Sequence, residues 1–359
     1  MKILFLVAYS ELAASSRTRV YDFFPFFEKE KIDFKYVCFI PKWLHKFSSS
    51  SKKAHKAIYY FSVVALKPVK IFQALVLSCF YDIVFVQKIT FSLNIEKILK
   101  LFNKKIIFDF DDAIFTGEGK KDNFFKKITS YLRESSFNNM VGVAKCCIVE
   151  NEYNRKIALK YCPWVEIVTG PIDTEKYFVR QEKKEGPVVV GWTGSSSTTR
   201  YLYEITGALA SVYKKYNVIL KFVGAKSDFK IQDVNCQIEK WDLNKEVSQI
   251  QSFDIGIMPL PDNEWTRGKG GYKLLQYMAA GVPAVASPVE INKKIINNGV
   301  DGFLADSKDE WVKTLSSLIE NEELRKKMGQ AGRKKMEESY SLKRAAEKLL
   351  GIFKKVAAD

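Results

Sequence analysis

The sequence predicts an α/β fold made of two doubly wound, parallel-sheet domains, and three observations support this prediction. The chain has 359 residues, which is long for one hydrophobic core and natural for two. Short apolar runs alternate with helix-like stretches along the chain, as buried parallel strands do. A charged stretch at 181–187 separates two such series, and we interpret it as a linker.

The first series predicts six strands, at 3–8, 36–40, 83–87, 105–110, 146–150 and 165–168. The second predicts five, at 188–192, 218–223, 235–238, 255–258 and 283–287. We therefore expect one domain over 1–182 and another over 187–340, with an amphipathic helix in the tail, 341–359. Ligands of such sheets bind beyond the carboxyl ends of the strands, and two facing sheets would place the site in the cleft between them.

Composition limits the chemistry. The six cysteines show no C-x-x-C spacing, which favours a reduced, cytosolic chain without a zinc site. Only His45 and His55 are available as histidine bases, and both lie in a polar, lysine-rich stretch. The N-terminal apolar run, followed by Ala13-Ala14-Ser15, is compatible with a signal peptide, but its length favours a first parallel strand.

The net charge of +16 is unevenly placed, because no Asp or Glu occurs between Asp33 and Asp82. The basic 35–70 region mixes lysines with aromatic residues, a pattern that an anionic membrane surface attracts. A solvated, lysine-rich helical region is the alternative. No nucleic-acid module is recognised, so nucleic acid is not an expected partner. No uninterrupted apolar run reaches about 18 residues, so no membrane span is expected either.

The segment 265–288, W-T-R-G-K-G-G-Y-K-L-L-Q-Y-M-A-A-G-V-P-A-V-A-S-P, is the most informative part of the chain. Its opening turn interleaves glycines with cations: Arg267, Gly268, Lys269, Gly270, Gly271 and Lys273. A helix with apolar spacing follows and ends at Gly281. A glycine turn that leads into a helix N-terminus suits a phosphate group, and cationic side chains strengthen that interpretation. An ordinary buried helix with a glycine-rich lead-in is the alternative.

A second candidate anion site follows the predicted strand 188–192. The turn T-G-S-S-S-T-T-R offers backbone N–H groups and hydroxyls, with Gly194 for close approach of the backbone. Ser195, Ser196 and Arg200 are its candidate contacts. A serine-rich turn that caps a helix is compatible with the same residues.

Three carboxylates, Asp109, Asp111 and Asp112, end the strand predicted at 105–110. Carboxylates this close repel one another and need partners or solvent. A metal-binding D-x-D is one interpretation, although the repeated α/β pattern argues against it. A helix N-cap with a turn is another.

The segment 265–288 closely resembles the donor-site signature of the family 4 retaining glycosyltransferases, and the resemblance extends over most of the chain. It is strongest from 188 to 304. It implies the GT-B fold, two facing Rossmann-like domains, with an acceptor side in 1–182, a nucleotide-sugar side in 187–340, and a last helix, 341–359, that crosses back to the first domain. It implies a nucleotide-diphosphate sugar as substrate, retention of anomeric configuration and no catalytic metal or other cofactor.

The resemblance also assigns residues on the donor side. The family's E-x7-E motif aligns with Gly268 and Gln276, so this chain departs from it at both glutamates. Gln276 retains the ability to bond a ribose diol. Sugar contacts would fall to the backbone of Gly270, Gly271 and Tyr272, and the charge on the phosphates to Arg267, Lys269 or Lys273. Gly224 would leave room for the base, with Trp241 and Leu243 in the segment that holds it.

On the acceptor side, Asp111 and Asp112 match the family's His-Asp position beneath the transferred sugar. Arg17 and Arg19 lie in a first loop that resembles the one closing over donor and acceptor. Gln87 and Glu152 are placed at strand ends facing the same cleft. Together with Lys273, Asp111 and Asp112 are the catalytic candidates.

The predicted function is a glycosyltransferase that moves a sugar to a glycan or lipid-linked saccharide acceptor in surface polysaccharide biosynthesis. The predicted location is the cytoplasm, with peripheral association on the inner face of the membrane. Three alternatives remain: a GT-B nucleotide-sugar epimerase, a catalytically weak subunit that binds a partner transferase, and a periplasmic two-domain binding protein.

Overall fold

The computed structural model describes residues 1–48, 52–116, 124–180 and 186–358. The described chain divides into two compact units. The first comprises Met1–Pro171, Gly268–Gly270 and Leu342–Asp359, and the second comprises Ile172–Arg267 and Gly271–Ser341. The first unit therefore ends earlier than the boundary expected at 182. Residues 181–185 of the predicted linker lie outside the described part.

Each unit is built on a parallel sheet of six strands, so the predicted fold class is confirmed. The first sheet has the order β2-β1-β3-β4-β5-β6. Its strands are β1 Lys2–Tyr9, β2 Asp33–Ile40, β3 Ile83–Gln87, β4 Ile106–Phe110, β5 Cys146–Val149 and β6 Val165–Ile167. Strands β3, β4 and β5 are buried along their whole length, which explains why they appear in the sequence as continuous apolar runs.

The second sheet has the order β12-β11-β10-β7-β8-β9. Its strands are β7 Val188–Thr193, β8 Val218–Val223, β9 Cys236–Glu239, β10 Ile255–Met258, β11 Ala284–Ala286 and β12 Gly302–Leu304. The edge strand β12 was not predicted, since three residues that begin with glycine carry no strand pattern. In both sheets the order reverses beside the first strand, as in doubly wound folds.

The helices fill the connections between the strands. In chain order they are α1 Ala14–Arg19, α2 Phe24–Lys29, α3 Lys42–Ser48, α4 Lys53–Ser78, α5 Ile95–Phe102, α6 Phe124–Val143, α7 Glu152–Ala158, α8 Thr206–Lys215, α9 Glu246–Gln251, α10 Glu264–Arg267, α11 Tyr272–Ala279, α12 Ile291–Ile295, α13 Lys308–Glu320, α14 Glu322–Lys335 and α15 Leu342–Ala358. Short 3₁₀ segments occur at Tyr21–Phe23, Thr199–Ile205 and Leu243–Lys245, and a π-helical turn at Met336–Tyr340.

The C-terminal helix α15 belongs to the first unit, where its apolar face completes the core on one side of the sheet. Phe353 is fully buried, and its ring lies 5.6 Å from that of Phe27 and 5.9 Å from that of Phe85. Leu349, Ile352 and Val356 pack beside it. The amphipathic pattern of the tail is therefore satisfied by burial.

Helix α4 departs from an expectation. With 26 residues it is long and apolar enough to cross a membrane by length and composition, although no such segment was expected. The sequence obscured it because Lys67, Pro68 and Lys70 interrupt the apolar run. Length and composition alone are weak evidence for a membrane span.

Candidate functional site

Two glycines bring the carboxyl ends of β7 and β8 together in the second unit. Gly194 follows β7 and Gly224 follows β8. Gly224 has a φ of +77°, and a Cβ there would lie 2.1 Å from the carbonyl oxygen of Gly194. The same Cβ would lie 3.2 Å from the Cβ of Trp241. Only glycine permits this approach, so the structure brings the predicted residues Gly194, Gly224 and Trp241 into one surface.

Lys273, in the first turn of α11, extends this surface. Its Nζ atom lies 5.5 Å from the ring centroid of Trp192, and that ring also packs against Gly194, where a Cβ would meet it at 2.3 Å. The backbone N–H of Thr193 donates a hydrogen bond of 3.0 Å to the hydroxyl of Tyr277 on the same helix. Helix α11 is thus fixed to the end of β7, with a cation beside the glycine turn.

The glycine that precedes α11 sets the direction of the helix. Gly271 has a φ of +70°, a conformation that side chains other than glycine rarely adopt. Helix α11 starts at the next residue, Tyr272, and the positive end of its dipole lies at this turn. Lys273 and the helix terminus together form a local concentration of positive charge, as an anion site requires.

The turn at 193–200 is held by its own hydrogen bonds. The carbonyl of Ser195 accepts from the N–H groups of Thr198 and Thr199 at 2.9 and 3.2 Å, and the N–H of Ser195 donates to Oγ1 of Thr198 at 3.1 Å. Ser195 and Ser196 are exposed. The turn therefore leads into the following 3₁₀ segment as a capping turn does, and it keeps two hydroxyl groups at the surface.

Two of the predicted cations have other partners. Arg267 forms a bidentate ion pair with Asp262, with N–O distances of 2.7 and 3.1 Å. The guanidinium of Arg200 lies over the ring of Tyr201, 5.1 Å from the centroid. The structure places Lys273 against Trp192, whose ring packs on the glycine surface at Gly194.

Gln276 belongs to a buried hydrogen-bond chain. Its amide nitrogen donates to the hydroxyl of Tyr177 at 2.7 Å, and that hydroxyl donates to Oε2 of Glu246 at 2.6 Å. Burial raises the pKa of Tyr177, and the electrostatic effects of Tyr272 and Glu246 raise it further. The hydroxyl therefore keeps its proton and can donate it to Glu246. A ribose diol would compete with Tyr177 for the amide donor. Tyr177 and Glu246 were not predicted, because they lie far apart in the chain and match no motif.

Leu243 is half-buried and is the first residue of the short 3₁₀ segment Leu243–Lys245. The carboxylate of Asp242 caps this segment by accepting from the N–H of Asn244 at 2.9 Å. The side chain of Gln249 accepts from the N–H of Asp242 at 3.3 Å and donates to the carbonyl of Lys240 at 2.9 Å. The backbone around Leu243 is therefore fixed by side chains of helix α9.

The tripeptide Gly268–Gly270 is packed within the first unit. The amide nitrogens of Asn154 and Asn151 donate to the carbonyls of Gly268 and Lys269, both at 2.9 Å. A Cβ on Gly268 would lie 2.4 Å from the Cβ of Ala113 and 2.6 Å from its backbone nitrogen. No side chain fits at this position, which gives a steric reason for the missing first glutamate of the E-x7-E motif.

Gly270 is confined in the same way, because a Cβ there would meet the carboxylate of Glu150 at 2.6 Å. Neither Glu150 nor Asn154 was predicted to belong to the site. A pattern of polar residues after β5 was visible, but the pattern alone does not show that they contact the glycine turn.

Asp111 and Asp112, predicted to be catalytic, share one lysine at the carboxyl end of β4. Nζ of Lys88 lies 2.9 Å from Oδ1 of Asp111 and 2.6 Å from Oδ2 of Asp112. Nζ of Lys269 lies 4.0 Å from Oδ1 of Asp112. Burial acts against the charge of Lys88, but the two carboxylates outweigh it and raise the pKa of Lys88. Two cations and two carboxylates thus form a neutral, half-buried group.

Arg19 requires a correction. It is 3% exposed, and its guanidinium donates to Asp109 through Nε and Nη2 and to Glu150 and the carbonyl of Val168 through Nη1. The Nε–Oδ1 distance to Asp109 is 3.1 Å and the Nη1–Oε1 distance to Glu150 is 3.0 Å. These bonds engage all three nitrogens inside the first unit, so a phosphate would have to break a buried ion pair to reach them.

The other acceptor-side candidates are spread over the first unit. Gln87 is fully buried and accepts from Oγ of Ser16 at 2.9 Å, which ties β3 to α1. Arg17 is 7% exposed and donates to the carbonyl of Glu11 at 3.3 Å. Glu152 lies at the surface, in an ion pair with Arg155 at 3.0 Å. The structure therefore gives Gln87 a packing role and Glu152 a surface one.

Among the described residues, no group of three His, Cys, Asp or Glu side chains could hold a metal ion. The D-x-D carboxylates have cationic partners instead: Asp109 pairs with Arg19, and Asp111 and Asp112 with Lys88.

Known proteins resemble parts of this chain in sequence and the whole of it in fold. Residues 173–335 match the family described as Glycosyl transferases group 1. An uncharacterised glycosyltransferase of Methanocaldococcus jannaschii is 29% identical over 119 residues, which are 33% of this chain and 29% of the relative. The chain thus aligns with less than a third of that protein's length.

Solved structures resemble the whole chain. Sucrose-phosphate synthase from Thermosynechococcus elongatus has a TM-score of 0.74 at 10% identity, over 100% of this chain and 99% of that one. The Anabaena protein HepE, solved in complex with UDP-glucose, has a TM-score of 0.71 at 12% identity, over 99% and 100%. At these identities the likeness shows the fold.

The two six-stranded parallel sheets and the likeness to these structures show that the chain has the GT-B fold. Residues 173–335, which include the glycine surface and Lys273, match the model of the group 1 glycosyltransferases.

Proposed function

We propose that this chain is an active glycosyltransferase that moves a sugar from a nucleotide-diphosphate donor to a glycan or lipid-linked saccharide acceptor in surface polysaccharide biosynthesis. The observation that carries the proposal is the position of Lys273 beside the Gly194–Gly224 surface, inside the part of the chain that matches the group 1 family. A backbone surface without side chains, next to a cation and a helix N-terminus, suits a diphosphate.

The proposed chemistry is electrostatic. The glycosyl C1–O bond breaks through an oxocarbenium-like state while the diphosphate leaves as an anion, and Lys273 with the N-terminus of α11 stabilises that charge. We propose retention by front-face attack, in which the departing phosphate oxygen takes the acceptor's proton. Asp111 and Asp112 are proposed to face the transferred sugar. No protein base is needed, which suits a chain with two histidines.

No metal is part of this scheme, because the charge of the leaving group is met by Lys273 and the helix terminus. We therefore expect that EDTA leaves turnover unchanged. Loss of activity in EDTA that Mg²⁺ restores would contradict this part of the proposal.

UDP-sugars are the first donors to test, since HepE was solved with UDP-glucose. Calorimetric titration of UDP, GDP, ADP, dTDP and CMP is expected to show binding of one diphosphate. Lys273→Ala is expected to weaken this binding about 10- to 100-fold, as the loss of a charge-assisted bond does. Lys273→Arg should retain most of it. Gln276→Ala is expected to weaken it less, because the amide also serves Tyr177.

Lys215→Ala is the matched control, because Lys215 also lies over an aromatic ring, 4.7 Å from the centroid of Tyr216, but on the surface of helix α8. It should bind like the wild type. No binding of any nucleotide by the wild type, or equal binding by Lys273→Ala, would refute the proposed donor site.

A second candidate function is a catalytically weak subunit that binds a partner transferase. The steric exclusion of any side chain at Gly268 favours it, because the family's glutamate that contacts the transferred sugar cannot be accommodated there. Binding of a nucleotide without turnover of any donor would support this candidate over the first.

We propose a cytoplasmic location, with the enzyme working at the inner face of a membrane where lipid-linked acceptors reside. The lysine-rich 35–70 region supports this proposal, since an anionic surface attracts such charge.

A further inference from the structure

Helix α4 presents an apolar stripe to the solvent. Its positions recur every three or four residues, the spacing of a single helix face: Ile58, Phe61, Ala65, Val69, Phe72 and Val76. The side chains of Phe61 and Phe72 are 77% and 70% exposed. Soluble proteins rarely leave a continuous stripe of this kind uncovered, so it marks an interaction surface.

The opposite face of α4 is tied to the first unit. Ala74 and Ser78 are buried, and Ile71 and Leu75 pack against the core that covers the sheet. Spanning a bilayer would require the C-terminal half of the helix to leave this core. The helix therefore lies along the surface of the unit, with its apolar stripe outward.

Helix α5 extends the apolar surface at the C-terminal end of α4. Leu101 is 82% exposed, and Phe102 is half exposed. A wholly apolar cleft of about 300 Å³ opens between the two elements, lined by Phe72, Leu75, Val76, Cys79, Phe80 and Phe102. Its walls offer nothing to a polar ligand and suit hydrocarbon.

Charge identifies the occupant of this surface. No carboxylate occurs between Asp33 and Asp82, while Lys53, Lys56 and Lys67 are exposed on the other faces of α4. A second copy of the chain, docked through the same patch, would bring two positively charged regions without carboxylates close together, because a two-fold interface pairs a patch with itself. An anionic bilayer supplies both the hydrocarbon and the opposite charge.

We propose that α4 and the end of α5 form an in-plane membrane-docking surface, which inserts its aromatic residues into the interface of an anionic bilayer and places an acyl chain in the apolar cleft. The inference rests on the proposed function only in naming its membrane partner, and it depends on the first unit alone. Burial of Phe61 and Phe72 in the bilayer interface stabilises the docked state, and the attraction between the lysines and the anionic lipids strengthens binding at low salt.

The test is flotation of the full chain with vesicles of phosphatidylcholine alone and of phosphatidylcholine with phosphatidylglycerol, at low and high salt. We expect binding to the anionic vesicles that weakens at high salt. The variant Phe61→Ser/Phe72→Ser should bind at least roughly tenfold more weakly, since two exposed aromatic side chains lose their burial in the interface. Lys53→Gln/Lys56→Gln should lose about fivefold per lysine at low salt.

Phe178→Ser is the matched control, because Phe178 is 56% exposed on the second unit. It should bind like the wild type, and all variants should keep the wild-type Tm and nucleotide affinity. Equal binding by Phe61→Ser/Phe72→Ser, or no binding of anionic vesicles, would overturn the proposal. Sedimentation that shows a dimer which this double variant abolishes would assign the surface to a second copy instead. Vesicle binding without any nucleotide binding would refute the proposed function and leave this inference standing.

Discussion

At the scale of single residues, the contact between Gly194 and Gly224 explains why two turns of the second unit form one surface. The conformation of Gly224 and the space around it are separate constraints, because its φ is +77° and a Cβ would lie 2.1 Å from a backbone oxygen. An oxygen in the backbone cannot move aside as the end of a side chain can. Substitution should therefore affect both stability and nucleotide binding.

We predict that Gly224→Ala lowers the free energy of unfolding by about 2 to 5 kcal/mol and abolishes nucleotide binding at the concentrations that saturate the wild type. The matched control is Gly299→Ala, at a φ of +81° with nothing within 4 Å of the added Cβ. The control should cost only about 1 kcal/mol, from backbone strain alone. Urea unfolding and calorimetry measure both effects, and equal costs for the two variants would contradict the steric argument.

The group formed by Arg19, Asp109 and Glu150 has one cation for two buried carboxylates. When both carboxylates are ionised the group carries a net charge of −1 inside the first unit. Burial raises the pKa of Glu150 to about 7, against the effect of Arg19, and burial also raises the pKa of Asp109. The folded protein therefore holds a proton that the unfolded chain releases at lower pH.

A carboxyl group whose pKa is raised in the folded state contributes stability at low pH that is lost as the pH rises. For Glu150 the window runs from its ordinary value of 4.5 to about 7. We predict that the free energy of unfolding of the wild type falls across this window and that Glu150→Gln makes the dependence flatter. Urea unfolding at a series of pH values measures it. Exposed Glu152→Gln should follow the wild type, and an unchanged slope in Glu150→Gln would contradict the assignment.

Patterns in the sequence indicated Gly194, Gly224 and Lys273 because glycine at a strand end and a cation in a helix's first turn have few structural uses. The same reasoning failed for Arg19, since an arginine near a strand end is equally compatible with binding a phosphate and with neutralising buried carboxylates. Which of the two applies depends on burial, and burial is decided by elements that lie far apart in the chain.

At the scale of elements, parallel strands were predictable because each is buried on both faces and appears as a continuous apolar run. Strand β12 was not predicted, because its pairing with β11 depends on tertiary position and not on its three residues. A lysine-rich helical region was one interpretation of the stretch that forms α4, but its length and apolar character were not expected, because Lys67, Pro68 and Lys70 interrupt the apolar run without ending the helix. The outward-facing apolar stripe of α4 can be recognised only when the structure shows which face of the helix is buried.

The C-terminal helix α15 provides a prediction at this scale. Phe353→Ala should lower the free energy of unfolding by about 3 to 5 kcal/mol, because it empties a fully buried site against Phe5, Phe27 and Phe85. Exposed Lys354→Ala, one residue later, should change stability by less than about 0.5 kcal/mol. Thermal unfolding compares the two, and a similar Tm for both would contradict the assignment of α15 to the first core.

At the scale of the whole molecule, the two units contribute different information. The second unit carries the family match and a backbone surface that suits a diphosphate. The first unit contains the Lys88 carboxylate group, the Arg19 ion pair, the packed Gly268–Gly270 tripeptide and the apolar stripe of α4. The sequence predicted the fold of both units, and the donor site in the second unit stays a prediction.

The central claim is that the second unit binds a nucleoside diphosphate at the Gly194–Gly224 surface beside Lys273. Hydrogen–deuterium exchange of the full chain, with and without saturating UDP, tests it most directly, followed by GDP or ADP if UDP does not bind. We predict slower exchange at 193–200, 222–226 and 271–276, with the peripheral helices α13 and α14 unchanged. Nucleotide binding that protects only segments outside these three, or no binding of any nucleotide, would contradict the account.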